Sequence, residues 1–283
     1  MSVRIIVDST ADLLPQVREQ VSAIVPLSVI FGEESYLDGV TIDKNTFYEK
    51  LIETDVLPKT SQPTPDAFAR VFAEVQEAGD EAVVITLSGK LSGTLQSANI
   101  AAMDFEDSIH IVDSNNVAIG SGILVELALQ YRDQGLSAAE IAAKLEEDKK
   151  NIHLVALLDT LEYLKLGGRI SRTVAFAGGL LNMKPVIAIE DGEVVSLGNA
   201  RGSKRGNNML VQEINKAGGV DFSKPVLLGY TGLSDDLLQK YIKDSIPLYE
   251  GQLPEPRCTQ IGSVIGTHAG PGAVAVAFFA LNQ

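Results

Sequence analysis

The sequence predicts an α/β fold made of two α/β domains: an N-terminal parallel sheet flanked by helices over residues 1–150, and a C-terminal mixed sheet with helices over residues 151–283. Three observations predict it. Short, continuous apolar runs alternate with amphipathic segments, as strands buried on both faces of a parallel sheet do. A hairpin signal in the second half demands at least one antiparallel pair. The balance of charge also changes near residue 150, where a capped helix ends.

Taken in order, Val3 to Val7, Ala23 to Phe31, Ala82 to Leu87 and Ile109 to Val112 read as buried strands. Thr64 caps a helix with Pro65 at its first position, and Phe68, Val71, Phe72 and Val75 then recur on one face. Ser92 caps a second helix, Gly93 to Met103. Ser137 and Glu140 form a capping box before Ile141 and Leu145. Beyond residue 150, Leu154 to Leu158 is another buried run. Val186 to Ile189 and Val194 to Leu197 flank Asp191-Gly192, the signature of a type I′ turn. Val226 to Tyr230, Val264 to Thr267 and Ala273 to Phe279 read as further strands.

The chain has 283 residues, 45% of them hydrophobic, and a formal net charge of -14. Residues 1–150 hold 11 Lys and Arg against 25 Asp and Glu, a net of -14, whereas residues 151–283 hold 12 of each. Such a balance argues against nucleic-acid binding, which needs a basic surface. Lys165, Arg169, Arg172, Lys184, Arg201, Lys204 and Arg205 nevertheless gather in a stretch whose only acids are Glu190, Asp191 and Glu193, so this segment is the candidate anion-facing region. One cysteine, Cys258, leaves no intrachain disulfide and favours a reducing compartment. The apolar start is too short for a secretory signal, and Ala273 to Leu281 is about half the roughly 20 residues of a membrane helix. The expectation is a cytoplasmic protein with no transmembrane segment.

Hydroxyl-rich and glycine-rich turns carry the functional signal. Ser61 either donates to a ligand or caps the turn before Pro63. Ser92, as a cap, stands beside the free N–H groups of Gly93 and Thr94, so cap and anion site can coincide. Asp8 reads as a cap for a following helix rather than as a ligand. Of three histidines, His110 and His153 belong to apolar runs, whereas His268 ends a predicted strand before Gly270-Pro271-Gly272. Arg169 and Arg201 adjoin glycines, which suits bidentate contact with carboxylate or phosphate, although a solvated loop arginine fits too. Lys204 and Arg205 read as surface charge. There is no Gly-x-Ser-x-Gly elbow and no P-loop, so Ser61, Ser92 and His268 make a poor hydrolase and the chain a poor kinase.

The phrases Val7-Asp8-Ser9-Thr10-Ala11-Asp12-Leu13, Lys59-Thr60-Ser61-Gln62-Pro63-Thr64-Pro65, Leu91-Ser92-Gly93-Thr94, Leu166-Gly167-Gly168-Arg169-Ile170-Ser171, Arg201-Gly202 and His268-Ala269-Gly270-Pro271-Gly272 resemble, in order and over nearly the whole chain, those of the DegV family. One departure is Ser88-Gly89, where the family usually has two serines. The resemblance implies a lipid-binding carrier, not an enzyme and with no cofactor, that holds a long-chain fatty acid with its carboxylate near the domain junction. It implies the role of a FakB subunit, which presents the acid to an ATP-dependent FakA-type kinase and carries acyl phosphate toward phospholipid synthesis, with transient contact at a membrane surface. By the same resemblance Ser61, Ser92, Gly93 and His268 hold the carboxylate, while Arg169, Arg172 and Arg201, together with His268, handle charge or contact the kinase. The competing reading is an enzyme acting on a small acylated or phosphorylated metabolite through Ser/His chemistry.

Overall fold

The computed structural model describes residues 2–54, 56–105, 108–170, 182–252 and 255–281. Through residue 150 the order is β1 (Val3–Asp8), α1 (Pro15–Arg18), β2 (Ala23–Val25), β3 (Ser28–Phe31), β4 (Glu34–Leu37), α2 (Lys44–Glu53), β5 (Lys59–Ser61), α3 (Pro65–Glu77), β6 (Glu81–Thr86), α4 (Thr94–Ala102), β7 (Ile109–Asp113), α5 (Ile119–Asp133) and α6 (Ala138–Asp148). A parallel sheet in the order β2-β1-β6-β7 is the first layer. Both of its faces are covered, which explains the unbroken apolar runs. Ile5, Val7, Val83 and Ile85 pack in the same core as Ile123 and Leu124 of α5 and Ile141 and Leu145 of α6. Ile6, Val84 and Ala82 point the other way, to Phe68 and Phe72 of α3 and Ala98 of α4. The helix starts follow local chemistry: Thr64 accepts from the Ala67 N–H, and Ser137 and Glu140 complete the reciprocal capping box.

Two expectations about the first strands of this half fail. The run Ala23 to Phe31 is not one strand. It breaks at Pro26, which has no N–H to give a ladder, and the chain leaves the parallel sheet to form an antiparallel sheet in the order β4-β3-β5. Nor does Asp8 cap a helix, because α1 begins only at Pro15. Its buried carboxylate instead accepts from the Thr10 N–H at 2.9 Å and the Leu87 N–H at 2.7 Å, tying the ends of β1 and β6 together. Burial pushes the Asp8 carboxyl up to about 6 against the pull of those hydrogen bonds.

After a short 3₁₀ turn come β8 (Ile152–Leu157), α7 (Glu162–Leu166), β9 (Met183–Glu190), β10 (Glu193–Arg201), α8 (Ser203–Lys216), β11 (Leu227–Tyr230), α9 (Asp236–Asp244), α10 (Ile246–Tyr249), β12 (Cys258–Gln260), α11 (Ser263–Ala269) and β13 (Val274–Phe279). The sheet runs β10-β9-β8-β13-β11-β12 and is mixed: β11 and β12 are parallel and the other pairs antiparallel. Asp191 and Gly192 at φ 48° and 80° form the expected I′ hairpin. Val155, Leu157, Val276 and Phe278 face α8 and α9, and His153 stacks on Phe278 at 5.5 Å. The opposite face of the sheet joins α5 and the parallel sheet in one core, so the largest apolar cluster draws on both sides of residue 150.

Val264 to Thr267, predicted as a strand, lies in α11. The four residues give no helical start of their own. The helix is set by carboxylates remote in sequence, since Asp12 accepts from the Gly262 N–H at 2.8 Å and Asp38 from the Ser263 N–H at 3.4 Å. Among the described residues no helix is long and apolar enough to cross a membrane.

Candidate functional site

A cavity opens on the inner face of the mixed sheet because small residues stand in register there. Ile187 of β9 pairs with Ala156 of β8, and Ala156 pairs with Ala275 of β13. Side chains alternate along each strand, so these residues share one face, and the two alanines leave space that larger residues would fill. Leu154 and Ile189 continue the floor, and Val117, Val264 and Ile265 close it from above. The cavity holds about 380 Å³, within the ~300–1,000 Å³ usual for small-molecule sites.

Its polar end is assembled from loops. Ser61, Gln62, Ser92, Gly93, Arg169 and His268 all line the cavity, so the structure brings five of the seven sequence-selected residues to one place. Gln62 is the brace. It donates to Gly93 O at 3.2 Å and Ser97 Oγ at 3.0 Å, holding the Thr60-Ser61 strand against the start of α4. A Cβ on Gly93 would stand 2.0 Å from Gln62 Oε1, so a larger residue there would push the Gln62 amide out of this position. Ser92 is not itself the N-cap, which falls on Gly93, but its Oγ still accepts from the Thr94 N–H at 3.3 Å and lies 2.9 Å from Thr94 Oγ1. Two hydroxyls and a helix start therefore converge beside an apolar cavity, a donor set suited to an anionic oxygen.

His268 sits in the last turn of α11, not at a strand end. Its Nε2 lies 2.9 Å from Thr60 Oγ1. Burial, assisted by the neighbouring Arg169 guanidinium, drives the imidazole down to about 4, so His268 is neutral at pH 7 and acts as a hydrogen-bonding group rather than a cation. Arg169 is the cationic member of the cavity lining; it donates to Gly167 O at 2.6 Å and Leu91 O at 3.3 Å, linking the loop after α7 to the loop before α4. A Ser/His relay would need His268 against a serine, and the imidazole oriented from its other side. Thr60 holds Nε2 instead, and the buried Nδ1 has no hydrogen-bond partner among the described residues.

Arg201 is placed elsewhere. It ends β10 and lines a separate surface hollow with Arg205 and Asn208. Arg172 lies outside the described residues. The sequence reading passed over two participants. Thr60 lies inside a quoted motif, but its partner is 208 residues away, and Gln62 acts only once β5 meets α4. The unusual Gly89 donates its N–H to Asp113 at 3.1 Å, and a Cβ there would meet Leu95 at 2.7 Å, so a second serine would need Leu95 to move.

A family model for the uncharacterised DegV proteins matches residues 2–281. A DegV domain-containing protein of Deinococcus radiodurans is 34% identical over the whole of both chains. Among solved structures, a DegV family protein of Thermus thermophilus described for its fatty acid binding superposes with a TM-score of 0.88 at 32% identity, over 99% of this chain and 100% of that one. The fatty acid kinase B3 protein of Streptococcus pneumoniae, loaded with linoleic acid, gives a TM-score of 0.85 at 26% identity, again over 99% and 100%. Matched along essentially its full length by both family model and relative, the chain belongs to the DegV family.

Proposed function

We propose that this protein binds one long-chain fatty acid, with its acyl tail along the inner face of the mixed sheet and its carboxylate among Ser61, Ser92, Gly93 and His268. The observation that carries this reading is the joining of a largely apolar cavity of about 380 Å³ to a cluster of hydroxyl and N–H donors with one arginine beside it. Each buried methylene contributes about 0.8 kcal/mol, so a tail of ~16 carbons supplies ample driving force even after ordering costs. Burial of the carboxylate then depends on donors being present where it stops.

Presentation of the acid to a separate FakA-type ATP-dependent kinase, and carriage of the acyl phosphate toward phospholipid synthesis, complete the proposal. The likeness to the Streptococcus pneumoniae fatty acid kinase B3 protein supports it. In this role the chain is a cytoplasmic substrate-presenting subunit and needs no cofactor of its own. Arg169 serves the added charge of the phosphate, and Arg201 and Arg172 lie in the basic segment suited to meeting the kinase. Division at residue 150 places the donors of Ser61 and Ser92 on one domain and Arg169 and His268 on the other.

The test is denaturing extraction of the purified protein followed by mass spectrometry. About one acyl chain per protein is expected. No acyl chain in repeated preparations, together with no uptake of added oleate or palmitate, refutes the carrier reading.

A further inference from the structure

The turn that leads into α11 is gripped by the other half of the molecule. Four consecutive residues, Gln260 to Ser263, are each bonded to side chains from residues 12–48. Lys44 donates to Gln260 O, Tyr48 Oη donates to Ile261 O at 3.0 Å, Asp12 accepts from the Gly262 N–H at 2.8 Å, and Asp38 accepts from both the N–H and the hydroxyl of Ser263. Lys44 also pairs with Asp12 at 2.9 Å. Gly266, one turn on, is pressed against Tyr48, whose Oη would stand 2.6 Å from a Cβ there.

This arrangement is costly. Asp12 and Asp38 are 3% and 6% exposed, and among the described residues Lys44 alone pairs with either of them and Asp12 Oδ2 has no hydrogen-bond partner. Burial drives both carboxyls upward, and the nearby Asp38 charge adds to the rise at Asp12. An apolar junction of the same volume would hold the two halves together at least as well, because buried ion pairs add little net stability. What buried charges provide instead is a single geometry, since each donor must meet its acceptor. The geometry in question is that of α11, whose far end carries His268.

We propose that Asp12, Asp38 and Lys44 form a clamp that positions His268, holding α11 so that the imidazole meets Thr60 at the mouth of the cavity. They are positioning residues and make no contact with the ligand. The proposal rests on the carboxylate-site reading for the purpose of the clamp, but its test does not need a ligand.

The test is NMR of the His268 ring nitrogens across a pH titration. The variants are Asp12→Asn/Lys44→Met, which removes both charges of the pair together, and Asp38→Asn, which leaves that pair intact. Arg169 is the charged group acting on the ring, and it is unchanged in both. Asp80→Asn, which cuts a surface bond to Arg4 remote from the clamp, is the control for general loss of stability. Release of α11 should hydrate the ring, raise its midpoint from about 4 toward the ordinary imidazole value by about one unit or more, and move the Nε2 shift as the Thr60 contact loosens. The control should leave both unmoved. A midpoint and Nε2 shift unchanged from wild type in the folded clamp variants overturn the proposal. If the double variant does not fold, Asp38→Asn alone decides. Acyl content is measured on the same samples: wild-type protein that neither carries nor takes up fatty acid refutes the carrier reading while the His268 comparison still stands.

Discussion

Replacing Ala275 by leucine tests the placement of the acyl tail directly. Ala275 is 3% exposed and faces the cavity from β13, in register with Ala156. The substitution adds three carbons to a wall of a cavity of about 380 Å³ and removes room for a comparable length of acyl chain. Three methylenes at about 0.8 kcal/mol each amount to about 2.4 kcal/mol, or roughly 50-fold in Kd for an acid that fills the wild-type cavity. An acid about three carbons shorter should bind the variant as well as it binds the wild type, since nothing at the polar end has changed. The assay is competition among saturated acids from C12 to C18 for delipidated protein, read by mass spectrometry of the retained ligand. A downward shift in preferred length is expected. If Ala275→Leu folds and retains the wild-type length profile, the tail does not lie on this face of the sheet.

His268→Ala should leave fatty acid bound while acyl-phosphate formation with an added kinase falls by about 10²-fold or more, the scale for loss of one charge-stabilising donor; full activity in loaded protein removes His268 from the site. Gly167→Ala should mimic it without touching the histidine, because its Cβ would stand 2.2 Å from His268 Nδ1 and displace the ring from Thr60; unchanged His268 NMR shifts in this variant contradict that packing. Arg169→Ala should raise the His268 titration midpoint, since the guanidinium is one of the two groups of forces holding it down, and a lower midpoint counts against the assignment. The Asp8 carboxyl is raised from 3.8 to about 6 in the folded chain, so its contribution to stability is fully present below pH 3.8 and lost as pH rises through about 6. Denaturant unfolding of wild type and Asp8→Asn should therefore show wild type's relative stability falling by about 3 kcal/mol across that window and level above it, and a difference flat with pH refutes the burial argument.

Where local chemistry decides structure, the sequence was legible. The capping box at Ser137 and Glu140, the Thr64-Pro65 start and the Asp191-Gly192 turn each need residues within a few positions of one another, and each forms as expected. The failures share the opposite property. Val264 to Thr267 is helical because of acceptors at positions 12 and 38, more than 220 residues away, and no local pattern signals that. Asp8 spends its carboxylate on Leu87 rather than on a nearby helix. Pro26, by contrast, is a strand breaker visible in the sequence itself, inside the run Ala23 to Phe31. The same division holds at the site. Glycine and hydroxyl turns pointed to Ser61, Ser92 and Gly93, whereas Thr60 and Gln62 gain their parts only through β5 meeting α4 and α11.

The two ends of the cavity are built by different means. Its apolar floor is a matter of residue size on one face of a sheet, where Ala156 and Ala275 give way to Leu154 and Ile189 in neighbouring positions. Changing one of those side chains alters volume and leaves the strand ladder intact, so the length of a bound tail is open to adjustment by single substitutions. The polar end has no such freedom. Its donors sit on β5, at the start of α4, in the loop after α7 and on α11, and they are held together by Gln62, Arg169 and the His268–Thr60 contact. Arg169 and the His268–Thr60 contact join partners from both halves of the chain, while Gln62 ties β5 to α4 within the first half. On the proposed carrier reading, tail selectivity can therefore vary while head-group geometry stays fixed.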